Sequence, residues 1–270
     1  MSHAPGSVNP ATLAPLAPVT TSTGEAVKAA IEAARAAQPA WAALPLSERA
    51  AQIHALGQAI LAQADALAQV MADETGRSTV EAKASELTSL APYVATAIAE
   101  AKRALKPHRV RFSALDFPGK RGVTEALPRG VIGIIAPWNY PLSNFWKSLF
   151  PALLAGNGVV LKPSEYTPRT GAALAAIAAT VLPRGLVGVV QGAGPVGEAL
   201  VDAVDAVVFT GSVPSGRKVA ERAARRLIPS SLELGGKDAA LVLADCDLPR
   251  TALGVAQQQA VRHRQAFALQ

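Results

Sequence analysis

The sequence predicts an α/β protein in which a parallel β-sheet is covered by helices on both faces and preceded by an N-terminal helical segment. Three observations lead to this fold class. Residues 24–105 are rich in alanine and carry apolar residues at helical spacing. After residue 120, short β-branched runs alternate with helical stretches. Each of these later stretches opens with proline, which suits the first helical turn because its missing N–H needs no partner there.

The first part of the chain predicts an extended lead-in and then a block of helices. Residues 1–23 are rich in proline, serine and threonine. Helical periodicity then predicts three helices, over residues 25–37, 47–75 and 78–105. Pro107 ends this block.

The second part of the chain predicts a sheet with intervening helices. Short runs rich in β-branched residues predict strands over residues 131–135, 158–162, 187–190, 206–209 and 239–243. The stretches between them predict helices over residues 141–155, 168–181, 195–201 and 214–227. Because half of the 270 residues are hydrophobic, the chain is long enough and apolar enough to bury a substantial core.

Four successive loops after the predicted strands are rich in polar residues and glycine, at residues 136–141, 163–165, 191–197 and 210–216. The carboxyl ends of parallel strands lie at one edge of the sheet, where ligands bind in such folds. The spacing of Gly192, Gly194 and Gly197 matches G-x-G-x-x-G, a pattern that is common by chance. Four such loops in order are stronger evidence, and they predict one Rossmann-like crevice.

Two pairs of residues in these loops suit a dinucleotide. The Glu165 carboxylate can accept hydrogen bonds from ribose hydroxyls and would repel a 2′-phosphate, while the Lys162 ammonium can donate to the sugar or a phosphate. Gly211 and Ser212 precede a helix whose N–H groups can bind a pyrophosphate. Taken alone, Lys162 and Glu165 are better explained as an exposed surface ion pair.

Composition disfavours several other classes of protein. The net charge is +6, but the basic residues are scattered, and the densest group, within residues 102–121, has few aromatic residues and no zinc pattern, so we expect neither nucleic-acid nor metal binding. Cys246 is the single cysteine, which suits a reducing compartment. There is no signal-peptide pattern and no apolar run of membrane-spanning length. We therefore expect a cytoplasmic protein.

Five motifs occur in a fixed order: APWNYP at 136–141, LKPSE at 161–165, the glycine run at 192–197, FTGS at 209–212 and LELGGK at 232–237. Together they resemble the aldehyde dehydrogenase superfamily, from about residue 9 to 256. The resemblance implies a lead-in at residues 1–23, an NAD-binding domain at 24–233 and an incomplete start of the catalytic domain at 234–270. It also implies a small aldehyde as the substrate and full-length relatives that form homo-oligomers.

The resemblance assigns roles to individual residues. Asn139 would donate its amide to the oxyanion of a thiohemiacetal. After hydride transfer to NAD, Glu233 would activate the water that hydrolyses a thioester, and burial between Leu232 and Leu234 would favour a general base. The alternative for Glu233 is a buried glutamate satisfied by backbone N–H groups or by Lys237. The implied cofactor-binding residues are Ala136, Pro137, Trp138, Lys162, Ser164, Glu165, Gly192, Gly194, Gly197, Phe209, Thr210, Gly211, Ser212, Leu234 and Gly235.

The nucleophilic cysteine of this family has no counterpart in the sequence. Its position corresponds to Phe267, and of the surrounding Gly-Gln context only Gln265 matches, since Arg264 stands in place of the glycine. Cys246 lies between two aspartates, whose charges oppose thiolate formation. We therefore expect this truncated chain to lack dehydrogenase turnover. The alternatives are a non-catalytic NAD-binding module and a decayed gene fragment.

Overall fold

The computed structural model describes residues 8–113, 115–236 and 239–256. The predicted fold class is confirmed: a five-stranded parallel sheet lies between two layers of helices, and a block of helices precedes it. The lead-in residues from 8 to 23 contain a turn closed by a single bridge between Val8 and Pro15.

The N-terminal block consists of five helices within the described residues, two more than predicted: α1 Gly24–Ala43, α2 Leu46–Ala62, α3 Ala64–Thr75, α4 Thr79–Glu86 and α5 Leu90–Ala104. The single helix predicted over residues 47–75 is interrupted at Gln63, and the one predicted over 78–105 is interrupted after Glu86. Packing explains both interruptions, because α2 contacts α5 and the later helices α6 (Ser143–Leu154) and α7 (Pro168–Val181), whereas α3 contacts α4 and α7. The periodicity of the sequence does not contain this information.

A short antiparallel pair of strands, β1 His108–Val110 and β2 Gly122–Thr124, joins the block to the sheet and was missed by the sequence analysis. The parallel sheet then contains β3 Val131–Ile135, β4 Gly158–Lys162, β5 Val187–Val189, β6 Ala206–Gly211 and β7 Ser230–Leu234. The helices between them are α6 Ser143–Leu154, α7 Pro168–Val181, α8 Gly194–Val201 and α9 Val213–Arg225. Four predicted strands and all four predicted helices are thus confirmed, within a few residues at their ends.

The fifth predicted strand, over residues 239–243, is wrong. The fifth strand is β7, which pairs with β6 in parallel, so that Glu233 lies beside Thr210. Residues 239–243 form no strand, and Leu241 is 86% exposed. A β-branched composition is not sufficient for a strand, since a strand also needs a partner for its backbone hydrogen bonds.

The core lies on both faces of the sheet. Side chains of alternate strand residues point to opposite faces. Ile132 and Ile134 of β3 pack with α2, α6 and α7, whereas Val131 and Ile135 pack with α1, α8 and α9. No helix in the part of the chain that the structure describes is long and apolar enough to cross a membrane.

The strand order β5-β4-β3-β6-β7 contains one reversal of direction. From β3 the chain builds outward through β4 to β5, and it then returns to add β6 on the other side of β3. In open α/β sheets, ligands bind at such a switch point, beyond the carboxyl ends of the strands. Here the switch point lies between β3 and β6, which are followed by the APWNYP loop and by Ser212.

Candidate cofactor site

A crevice of about 580 Å³ opens at the carboxyl ends of β3, β4 and β6. Its volume is in the ordinary range for small-molecule sites. Most of the predicted cofactor residues line it: Ala136, Pro137, Trp138, Lys162, Ser164, Glu165, Gly194, Gly197, Phe209, Thr210, Gly211 and Ser212. The structure therefore brings part of each of the four predicted loops into one crevice.

Lys162, the last residue of β4, is buried in the wall of this crevice and is only 5% exposed. Its Nζ lies 3.7 Å from Oε2 of Glu165. Burial lowers the pKa of Lys162, and the charge of Glu165 partly offsets that effect. This burial rules out the alternative of an exposed surface ion pair. Because an ammonium has three donors, the loose contact with Glu165 leaves capacity for ligand hydroxyls or a phosphate.

The loop after β3 presents Trp138 and Asn139 beside this lysine. Ala136 N donates to the carbonyl of Lys162 at 3.2 Å, which holds the start of the loop against β4. Trp138 is half-buried in the crevice wall. Asn139 Oδ1 accepts a hydrogen bond from Tyr140 N at 3.0 Å, which identifies this atom as the amide oxygen. The Asn139 Nδ2 group is thereby left to donate elsewhere.

The helices α8 and α9 begin at the opposite wall. Ser212 caps α9, and its Oγ accepts from Ser215 N at 3.3 Å. The helix α8 begins at Gly194 without a side-chain cap or an acidic residue in its first turn. The N-terminal N–H groups and the helix dipole both favour an anion at this wall. A Cβ at Gly211 would lie 2.6 Å from the Phe209 ring, so any larger residue here would have to displace that ring.

Charged residues on the facing surfaces of α8 and α9 also line the crevice, and the sequence analysis missed them: Glu198, Lys218, Glu221, Arg222 and Arg225. The guanidinium of Arg222 binds both carboxylate oxygens of Asp202, at 2.6 and 2.8 Å, and Oε2 of Glu198, at 3.1 Å. Arg222 thus joins α9 to α8. The helical spacing of residues 218, 222 and 225 places them on one side of α9, a signal that was available in the sequence.

Five predicted site residues lie outside the residues that line the crevice: Asn139, Gly192, Glu233, Leu234 and Gly235. Asn139 adjoins Trp138 in the loop after β3. Gly192 has a φ of +141°, and a Cβ there would lie 2.6 Å from Val196, so backbone conformation and close packing both account for the glycine. Their assignments to catalysis or cofactor binding remain predictions.

The expected burial of Glu233 is wrong for this chain, as is the alternative of a buried, satisfied glutamate. Glu233 and Leu234 are exposed on β7, the edge strand of the sheet. The Leu234 side chain lies against Gly216 of α9. Because neighbouring side chains alternate across a strand, Glu233 projects to the other face, beside Thr210 of the crevice wall. In this chain the Glu233 carboxylate is therefore exposed to solvent.

Several sequence-based expectations fall outside the described residues, namely those on Lys237, Arg264, Gln265 and Phe267. Cys246 is half-buried and forms no disulfide. Across residues 8–113, 115–236 and 239–256, no three His, Cys, Asp or Glu residues are grouped in a way that could hold a metal ion.

Comparison with known proteins decides the family. The model of the aldehyde dehydrogenase family matches residues 3–265, which is nearly the whole chain. The chain belongs to the aldehyde dehydrogenase family. The resemblance that the five ordered motifs predicted is therefore confirmed.

Two curated proteins are similar to the chain to about the same extent. The chain is 42% identical over 212 residues to a 4,4'-diapolycopene aldehyde oxidase of Methylomonas sp, covering 78% of this chain and 40% of that protein. It is 39% identical over 242 residues to a protein of Mycobacterium ulcerans (strain Agy99) provisionally named succinate-semialdehyde dehydrogenase [NADP(+)] 2, covering 88% and 46%. The chain thus spans less than half the length of these curated relatives.

A solved structure supports the same fold. The NAD+ complex of an aldehyde dehydrogenase from Bacillus cereus superimposes with a TM-score of 0.87 at 31% sequence identity, over 95% of this chain and 52% of that one. The family uses nicotinamide cofactors, and NAD and NADP both occur in the names of these similar proteins. Members of the family act on small-molecule aldehydes.

Proposed function

We propose that this chain is the cofactor-binding half of an NAD-dependent aldehyde dehydrogenase, which oxidises an aldehyde to a carboxylic acid. One observation carries the proposal. The crevice at the switch point of the sheet joins a buried lysine, Lys162, and the adjacent Glu165 to Trp138 and to the start of α9 at Ser212. The proposal divides the chain into the lead-in at 1–23, the NAD-binding domain at 24–233 and the start of a catalytic domain at 234–270.

The donors and acceptors of the crevice suit a dinucleotide. Lys162 and Glu165 offer a donor and an acceptor for the adenosine ribose, with Ser164 beside them. The N-terminal N–H groups of α8 and α9 suit the pyrophosphate. When bound, the cofactor would accept a hydride from the substrate. The residues of this chain contribute binding and orientation.

Glu165 favours NAD over NADP. Its carboxylate lines the crevice next to Lys162, where a ribose 2′-phosphate would bring a second negative charge close to it. Lys162 is already paired with Glu165 and is largely buried, so it offsets only part of that repulsion. The relative named for NADP(+) is consistent with a family in which this choice varies.

The aldehyde chemistry needs groups beyond the crevice. Asn139 holds its amide Nδ2 available to donate to an oxyanion, since its oxygen is bonded to Tyr140 N. Glu233, beside Thr210, would take a proton from the attacking water once a covering layer desolvates its carboxylate. The single cysteine, Cys246, lies between Asp245 and Asp247. We therefore expect this chain by itself to bind NAD without turnover, and its cytoplasmic location remains a prediction.

Calorimetric titration of the purified chain with NAD and with NADP tests the proposal. We expect binding of NAD in the micromolar range and weaker binding of NADP. In Glu165→Gln the ratio of the Kd for NADP to the Kd for NAD should fall. Glu125→Gln, at an exposed position away from the crevice, should leave this ratio unchanged. Absence of NAD binding would support the decayed-fragment alternative. NADH production from an aldehyde that Glu233→Gln abolishes would contradict the expected lack of turnover.

A further inference from the structure

Two helices next to the crevice begin without a capping side chain of their own. Neither α6, which follows the loop of Trp138 and Asn139, nor α7, which follows the loop of Ser164 and Glu165, has a side-chain hydrogen bond from its N-cap residue. The first N–H groups of a helix have no partner within the helix, and burying them unpaired is costly. Carboxylates from the N-terminal block supply the missing partners.

Glu86, the last residue of α4, caps α6. Its Oε2 accepts hydrogen bonds from Leu142 N at 2.8 Å and from Ser143 N at 2.9 Å. Its backbone carbonyl accepts from Trp146 Nε1 at 3.1 Å. Glu86 is 0% exposed, so these bonds are shielded from water. A residue 56 positions away in the sequence thus fixes the start of α6.

Arg77 completes this arrangement and extends it to the crevice loop. Its Nη2 donates to Glu86 Oε1 at 2.5 Å, and its other nitrogens donate to Thr75 and Ser85. The guanidinium carbon lies 5.3 Å from the centre of the Tyr140 ring, a cation–π contact. Tyr140 directly follows Asn139, whose oxygen accepts from Tyr140 N.

The loop from Ala136 to Pro141 is therefore held at three places. Ala136 N is bonded to Lys162 O, the Tyr140 ring contacts Arg77, and the helix that follows is capped by Glu86. The contact of Ala136 is made by the sheet, and the other two contacts are made by the buried Arg77–Glu86 pair. Trp138 and Asn139 lie between them.

We propose that the buried Arg77–Glu86 pair is a positioning unit that sets the placement of Trp138 in the crevice wall and of Asn139 beside it. The inference rests on the proposed function, because it assigns these two residues to the end of the crevice where the reactive part of the cofactor lies. The adenosine end, at Lys162 and Glu165, is supported by a different carboxylate. That residue is Glu74, which accepts from Arg169 N and Thr170 N at the start of α7.

The variants Glu86→Gln and Glu74→Gln form a matched pair. Each keeps the shape of the side chain but places an amide donor among N–H donors at the start of one helix. Both are expected to lower stability. Only Glu86→Gln is expected to disturb Trp138, because only α6 follows the Trp138 loop.

Acrylamide quenching of tryptophan fluorescence measures the accessibility of Trp138 in this loop and needs no nucleotide. Trp41 is 1% and Trp146 is 0% exposed, so the accessible fluorescence comes from the half-buried Trp138. We expect Glu86→Gln to change the quenching constant about twofold or more and Glu74→Gln to leave it unchanged. Adding Trp138→Phe should remove the difference. Equal changes in both variants, or none in either, would overturn the inference.

Nucleotide titrations give a second, independent readout. In Glu86→Gln the Kd for NAD should rise about tenfold while the Kd for AMP, which lacks the nicotinamide half, changes little. If NAD and AMP weaken together, Glu86 acts on the whole fold and the inference is wrong. If the wild-type chain binds neither nucleotide, the proposed function fails, and the quenching comparison alone decides the inference.

A milder variant tests the inference in case Glu86→Gln does not fold. Tyr140→Leu removes the ring from Arg77 but leaves the ion pair and the cap of α6 intact. We expect quenching of Trp138 to change in the same direction as in Glu86→Gln and by a smaller amount. A chain that folds normally and shows wild-type quenching in Tyr140→Leu and in Glu86→Gln would exclude a positioning role.

Discussion

The two walls of the crevice are supported in different ways. On the side of α6 and α7, the helix starts are capped by Glu86 and Glu74, two buried carboxylates from α4 and α3. On the side of α8 and α9, Ser212 caps its own helix, and the solvent-accessible Arg222 joins the two helices. One wall therefore depends on contacts between residues far apart in sequence and shielded from water, and the other on local and solvent-exposed contacts.

This difference has an energetic consequence. A hydrogen bond to a buried carboxylate cannot be replaced by water when the carboxylate is removed, so its loss costs the full desolvation of the donors. Ion pairs at the surface are screened by salt and exchange with water at little cost. We therefore expect the α6/α7 wall to control the stability of the chain, and the α8/α9 wall to adjust to the ligand.

The largest expected effect is that of Glu74→Gln. Glu74 accepts from Arg169 N, Thr170 N and Thr170 Oγ1, at 2.7, 2.9 and 2.6 Å. An amide nitrogen among these donors should lower the free energy of unfolding by about 2–3 kcal/mol. Urea denaturation measures the change. If Glu74→Gln lowered the free energy of unfolding no more than Arg222→Met does, the proposed difference between the two walls would be wrong.

The same variant tests a dependence on pH. Burial raises the pKa of Glu74 above its ordinary value of 4.5. The hydrogen bonds from Thr170 and Arg169 lower this pKa, but their effect is smaller than that of burial. The folded chain then holds this proton at a higher pH than the unfolded chain does. The free energy of unfolding should therefore fall as pH rises from 4.5 through the raised pKa. Glu74→Gln should lack that part of the slope.

An intermediate effect is expected for Lys162→Met, on binding. Hydrogen bonds to charged groups contribute about 1.5–3 kcal/mol, so the affinity for NAD should fall about tenfold to a hundredfold. Stability should be unchanged or higher, because a desolvated charge is removed. Calorimetry and urea denaturation measure the two quantities, and Lys106→Met, at an exposed position, is the control. Lower stability with unchanged affinity would mean that Lys162 is structural.

The lowered pKa of Lys162 predicts how stability and the affinity for NAD depend on pH. Burial lowers its pKa below 10.5, so the folded chain loses this proton before the unfolded chain does. Between the lowered pKa and 10.5 the stability contributed by Lys162 should rise with pH. The affinity for NAD should fall over the same range, because the neutral amine no longer attracts the ligand. Lys162→Met should show neither change.

The smallest expected effect is that of Arg222→Met. It removes the ion pairs to Glu198 of α8 and to Asp202, which directly follows α8, and leaves these two carboxylates without their shared partner. We expect a small loss of stability that disappears at high salt, together with weaker binding of AMP, since α8 and α9 form one wall of the crevice. Thermal unfolding at low and at high salt measures the first effect. A loss of stability that persists at high salt would contradict the solvent-exposed character of this wall.

The parts of the fold that were predicted correctly have local causes. Strands β3 and β4 are buried throughout and are short runs rich in β-branched residues, as buried parallel strands often are. The helices after them open with proline or begin close to it. The predicted strand over residues 239–243 failed because the same composition occurs there without a pairing partner, whereas β7 forms through its register with β6.

The sequence by itself determined the family, four strands of the parallel sheet with the helices between them, and the loops that carry Lys162, Glu165, Trp138 and Ser212. These features follow from residue type and spacing along the chain. Only the tertiary structure decided that Lys162 is buried, that Glu233 is exposed, and that Glu74 and Glu86 cap helices to which no sequence pattern connects them. Burial and long-range hydrogen bonds depend on which elements pack together, and local propensity does not encode that packing.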